Sequence, residues 1–186
     1  MMITELSHFG KLFKGWQSYK SCDLELANKY RNILPPIIIN TWENLGFQKF
    51  AKGFLWSVDP DEYREIIAGF IYDYQVSDTH VLFRTGFGDL IFLYETKLFH
   101  LSATTLKHGQ LSGTIEQVLE MHLGQREFAN SIFFLKEFNA ARASLGNIEA
   151  DELFAPVPVI PLGGEFKVES MKKFNLKAHM SFLAKL

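Results

Sequence analysis

His80-Val81-Leu82-Phe83-Arg84-Thr85-Gly86-Phe87-Gly88-Asp89-Leu90-Ile91-Phe92-Leu93-Tyr94 is the stretch that decides the fold. Two apolar runs of strand length flank a turn with two glycines. Glycine tolerates positive φ, so Gly86 and Gly88 suit a tight reversal. A third run, Leu98 to Ala103, follows the short turn Glu95-Thr96-Lys97. The three runs predict an antiparallel meander. Arg84 and Asp89 bracket the first turn, and an ion pair or hydrogen bonds between them would fix the hairpin.

Upstream the pattern is helical. Ile3 to Phe13 has apolar residues near helical spacing. Leu24 to Ile33 follows the candidate caps Ser21 and Asp23. Pro35-Pro36 opens a third helix that Gly46 closes. Phe47 to Val58 reads as strand, tight turn at Gly53, strand. Asp59-Pro60-Asp61-Glu62 has an N-cap, a first-turn proline and an acid three residues after the cap, as in a capping box. A helix is expected from Pro60 to Phe70.

Downstream, Thr114 with Gln117 is a second capping box, opening a helix to His122. Gln125 to Leu145 reads as one long helix ended by Gly146. Phe154 to Gly164, with three prolines, reads as an extended loop. Leu176, Met180 and Leu183 mark a last helix. The expectation is an α+β fold: N-terminal helices, a central antiparallel β-meander, and C-terminal helices packed on the sheet.

The 186 residues include 18 Phe, which implies a large core rather than disorder. The net charge of −2 supplies no broad basic field, so nucleic acid is not an expected partner. The single cysteine, Cys22, excludes an internal disulfide and a cysteine-rich metal site. The N-terminus, with Glu5 and His8, lacks a signal-peptide core, and no apolar run is long enough for a bilayer. The protein is read as cytoplasmic, without membrane contact, metal or cofactor.

Searches for chemistry find no nucleophile elbow, no phosphate-binding P-loop, no dinucleotide fingerprint and no H-E-x-x-H. Asp59, Asp61, Glu62 and Glu65 gather at one helix start. Glu149, Asp151 and Glu152 form a second acidic group. Capping and solvation account for both; an acidic face for a basic partner is the functional alternative. Arg84, His80 and His100 near the sheet would be the makings of a ligand or enzyme site.

Several of these segments resemble a known family. Leu34-Pro35, Trp42-Glu43-Asn44-Leu45-Gly46, Gly53-Phe54-Leu55-Trp56 and Val58-Asp59-Pro60-Asp61-Glu62-Tyr63 resemble the GAD-like domain. Phe83-Arg84-Thr85-Gly86-Phe87-Gly88-Asp89-Leu90, Pro161-Leu162-Gly163-Gly164 and Leu176 to Leu186 are similar to the domain that follows it in the Tdi family of type VI secretion immunity proteins. The resemblance places a GAD-like region at 1–75 and a Tdi-type domain at 76–186, packed as one unit. It implies a non-enzymatic inhibitor that neutralises a cognate toxin, a DNase effector, by blocking or distorting its active site. Arg84, Gly86, Gly88 and Asp89 then build the fold. Asp59, Asp61, Glu62, Glu149, Asp151 and Glu152 are the expected partner surface. A small ligand-binding protein or enzyme, and a dimerisation or scaffold module, are the alternatives. Oligomeric state stays open.

Overall fold

The computed structural model describes residues 1–186. A short 3₁₀ turn, Ile3–Glu5, leads into α1, Ser7–Leu12; the backbone is extended at Leu6 between them, so the expected single helix is interrupted. An edge strand follows, β1, Gln17–Lys20, whose polar residues carried no strand signal. Then come α2, Leu24–Tyr30, capped by the Asp23 carboxylate on the Leu26 N–H, and α3, Pro36–Leu45, closed by Gly46. Strands β2, Phe47–Phe50, and β3, Leu55–Ser57, flank the Gly53 turn. In that turn Ala51, Lys52 and Gly53 all take positive φ, 46°, 60° and 98°. For the two non-glycine residues this costs about 1 kcal/mol each.

Helix α4, Pro60–Ala68, starts as expected, but the capping box does not form. The Asp59 carboxylate takes the Asp61 N–H, and Glu62 turns away to Lys20. The meander continues as β4, Thr79–Thr85, β5, Leu90–Tyr94, β6, Lys97–Leu101, and β7, His108–Leu111. All seven strands form one antiparallel sheet in sequence order. Every residue of β4 and four of five in β5 are buried, so both faces of the sheet centre are covered. Continuous apolar runs, rather than alternation, are what such strands need.

After the sheet, Thr114 and Gln117 complete both bonds of their capping box at the head of α5, Ile115–Gln117, which widens into a π-helical turn, Val118–Leu123. The expected helix over Gln125 to Leu145 is two: α6, Arg126–Ser131, and α7, Leu135–Leu145. Phe134, at φ 58°, breaks it and lets Phe133 bury against His100. The expected loop from Phe154 begins as a strand. β8, Glu152–Pro156, pairs with β9, Met171–Asn175, and α8, Leu176–Leu183, closes the fold. No helix is long and apolar enough to cross a membrane.

One core runs through both halves of the chain. Phe9 and Phe13 pack on Phe50; Phe138 of α7 packs on Phe54 and Phe87. Helix α1 has no cap of its own. Glu120, more than a hundred residues away, accepts from the Ser7, His8 and Phe9 N–H groups at 2.6, 2.6 and 3.0 Å. Burial works against the charge of Glu120, but these donors outweigh it and hold its carboxyl below the ordinary range.

The Gly86 turn is the other junction. Its N–H donates to the Phe54 carbonyl and its carbonyl accepts from the Phe154 N–H. A Cβ there would stand 2.2 Å from the Phe138 ring. Gly86 is needed for this close approach, not for positive φ; only Gly88, at φ 91°, has that requirement. Gly86→Ala is expected to cost about 1–3 kcal/mol through overpacking. A urea midpoint equal to that of the parent protein would show that Phe138 yields without strain.

Candidate functional site

Arg84 sits at the centre of the molecule with none of its surface exposed. Its guanidinium stacks over Trp56, 4.5 Å from the ring centroid. It donates to the carbonyls of Thr85 (3.3 Å), Glu149 (3.3 Å) and Ala150 (2.8 Å). Burial pushes its pKa down, while neighbouring Tyr63 and Tyr19 favour the charged form. A planar fork that stays charged suits two successive main-chain carbonyls; a lysine would not span them.

Asp89 does not pair with Arg84. It accepts from the Ala103 N–H at 2.8 Å and lies 3.2 Å from His100 Nε2, which is off the line of a hydrogen bond. The turn itself is held by Thr85, whose hydroxyl oxygen accepts from the N–H groups of Phe87 and Asp89. Its place between Arg84 and Gly86 is the one sequence signal for this role of Thr85.

His80 is buried edge-on to Tyr30, and His100 edge-on to Phe133. Neither histidine lines any of the larger cavities, and neither does Arg84. No group of three or more His, Cys, Asp or Glu side chains is arranged to hold a metal ion. Burial and the Asp23 charge raise the Cys22 thiol to about 11, so it is not an activated nucleophile.

Asp59, Asp61 and Glu62 of the first acidic group are compensated within the chain, and Glu65 is exposed without a cationic partner. Lys20 donates to Asp59 (3.0 Å) and Glu62 (2.9 Å); Asp61 accepts from Lys29, Arg64 and Tyr30. Burial raises the Asp61 pKa, but those donors outweigh it and bring it to about 2. Three carboxylates are thus met by three cations. The second group is not. Glu149 and Asp151 are exposed without a cationic partner, and the Glu152 carboxylate accepts the Glu149 N–H.

Beside the second group lies the largest apolar cavity, about 400 Å³, between the β8–β9 hairpin and α8. Val157, Leu162, Phe174 and Phe182 line it. Val157, Leu162 and Phe182 are 44%, 57% and 44% exposed, unusual for such side chains. Asp151 stands at its Asn175 corner: the Asn175 amide reaches the Asp151 carboxylate at 3.5 Å, and the Asp151 carbonyl accepts the Leu176 N–H. This groove carried no sequence signal, because Pro156 and Pro158 read as a loop.

Residues 5–107 match the family model of the GAD-like domain. Residues 116–186 match that of the T6SS immunity protein Tdi1, C-terminal. Among solved structures, the crystal structure of Atu4351 from Agrobacterium tumefaciens shares the fold, with a TM-score of 0.77 and 17% identity over 96% of this chain and 88% of that one. No curated protein sequence matches the chain.

Arg84→Met leaves the Glu149 and Ala150 carbonyls without their donor, and a loss of about 2–4 kcal/mol is expected in urea denaturation. An unchanged midpoint would show that the arginine is not what joins the two segments. Burial also lowers the pKa of His80 and of His179 from 6.5. The unfolded chain therefore binds protons first, and stability falls as pH drops below about 6.5. Asp61 acts in a lower window: its contribution is complete above 3.8 and is lost as pH falls through about 2. The urea midpoint should be lower at pH 5.5 than at pH 7.5, and His179→Phe should flatten that difference; a flat profile in the parent protein contradicts the assignment.

Proposed function

This chain belongs to the family in which a GAD-like domain precedes the C-terminal domain of the type VI secretion immunity protein Tdi1, and we propose that it binds one cognate toxin in the cytoplasm and holds it inactive. The observation that carries this reading is the match of residues 116–186 to an immunity-protein domain. The groove between the β8–β9 hairpin and α8 lies within that domain, and we assign it as the docking surface.

Val157, Leu162 and Phe182 supply exposed apolar anchors of the kind that dominate binding energy at interface centres. Glu149, Asp151 and Glu152 supply uncompensated negative charge beside them. A nuclease must present a basic groove to DNA, so a DNase is the toxin this surface suits. Asp59, Asp61 and Glu62 contribute less, since Lys20, Lys29 and Arg64 already cancel their field. Inhibition by occupying the DNA groove follows from this arrangement and needs no catalysis by the inhibitor.

The test is to mix the toxin of the neighbouring gene with this protein and follow DNA cleavage. Cleavage should stop near one equivalent. Phe182→Ala should weaken binding by about 2 kcal/mol, roughly thirtyfold. The pair Glu149→Lys and Asp151→Lys should slow association about tenfold and reduce its salt dependence. If both sets bind the toxin as tightly as the parent protein, another surface makes the contact. If the toxin binds but cuts no DNA, the DNase assignment fails and the immunity role remains.

A further inference from the structure

A second cavity, about 320 Å³, lies where the edge of the sheet meets the end of α7. It is lined by Gly15 and Gln17 leading into and on β1, by Lys49 and Lys52 on and after β2, and by Arg142, Asn147 and Ile148 at the end of α7 and beyond. Three cations line it and no carboxylate does. None of the three makes a salt bridge elsewhere in the molecule.

The other charged cavity of similar size shows how unusual this is. Asp23, Glu25, Lys29, Asp59 and Asp61 line that one, and there Lys29 pairs with Asp61. In the basic cavity the three cations share one lining with no carboxylate to offset them. Like charges held together in a partly enclosed space raise the energy of the empty site and favour an anion.

Lys49 and Arg142 are held by contacts of their side chains, and Lys52 by its backbone. Gln17 and Lys49 are cross-strand partners, and Lys49 lies over the Trp56 ring, 5.9 Å from its centroid. Lys52 is fixed in the run of three positive-φ residues described above, a backbone strain of the kind that marks functional positions. Arg142 Nη1 makes only a long bond, 3.4 Å, to Asn147 Oδ1, and its Nε is buried without a partner. An arginine fork with an unmet N–H beside two lysines matches the donors that a tetrahedral oxyanion needs.

We propose that this cavity binds a phosphate group, on a small phosphorylated molecule or as the free ion, through Lys49, Lys52 and Arg142. Its lining comes from residues on both sides of the sheet-to-helix junction, so the ligand would tie 15–52 to 142–148. The inference is independent of the toxin reading.

The experiment is phosphorus NMR and calorimetric titration of the full chain at low ionic strength, with inorganic phosphate, adenosine monophosphate and adenosine as probes. Saturable binding with a Kd of about 1 mM or tighter is expected for at least one phosphate-bearing probe and none for adenosine. Lys52→Asn keeps a residue that tolerates positive φ and removes the charge; Arg142→Gln keeps a donor to Asn147. Each should weaken binding about fivefold or more, without lowering the thermal midpoint in the absence of ligand. Tighter binding of the monophosphate than of phosphate identifies a phosphorylated molecule; equal binding identifies the free ion. Absence of saturable binding of both, or equal binding by the parent protein and both variants, overturns the proposal.

Discussion

The structure hangs on a buried positive charge that has no carboxylate in contact with it. Arg84 is surrounded by Trp56, Tyr63, Tyr19 and three main-chain carbonyls. Removing a guanidinium from water is costly, and here the cost is offset mainly by dipoles and a ring face, with a smaller contribution from the Asp151 charge and no ion pair in contact. The consequence is directional. Carbonyls of Glu149 and Ala150 must be brought to Arg84, and that delivers the chain to the start of β8. Gly86, two residues on, meets the same hairpin through Phe154. Sheet and C-terminal hairpin are therefore joined at the end of β4 and in the turn that follows it, and one core spans both halves.

How much of this was legible depends on where each element's determinants lie. Strands β4 and β5 were plain because strands buried on both faces must be apolar throughout. Strands β1 and β7 were not: Gln17-Ser18-Tyr19-Lys20 and His108-Gly109-Gln110-Leu111 lie at sheet edges, where polar residues are favoured and local pattern is weak. The break at Phe134 was hidden because apolar spacing persists across it, and left-handed backbone at a phenylalanine has no composition signature. Strand β8 is masked by Pro156 and the proline-rich stretch after it; a two-stranded ladder accommodates Pro156 at its end.

The candidate site divides in the same way. Asp59, Asp61 and Glu62 were recognisable as helix-start acids because capping is local. Their partners Lys20 and Lys29 lie 32 to 42 residues away, and only the fold shows that the charges cancel. The pairing of Arg84 with Asp89 looked natural across a turn, yet strand pairing sends the two side chains to different neighbours. Sequence spacing could propose the charges but not their compensation, and compensation decides which charges a partner sees.

That distinction bears on how such a protein meets a partner. An inhibitor gains most from a rigid scaffold and an exposed surface free to differ in detail, since pre-organisation reduces the entropy lost on binding. Here the segment from Trp42 to Asp89, inside the stretch that matches the GAD-like domain, is largely buried or engaged with itself. The exposed apolar side chains Val157, Leu162 and Phe182 belong instead to a hairpin and helix that contribute one face to the core and leave the other open. Changes on that open face need not disturb Arg84 or Gly86. The fold thus separates a packed scaffold from a face whose side chains can change without disturbing it, and it places the boundary between them at the Asp151 end of β8.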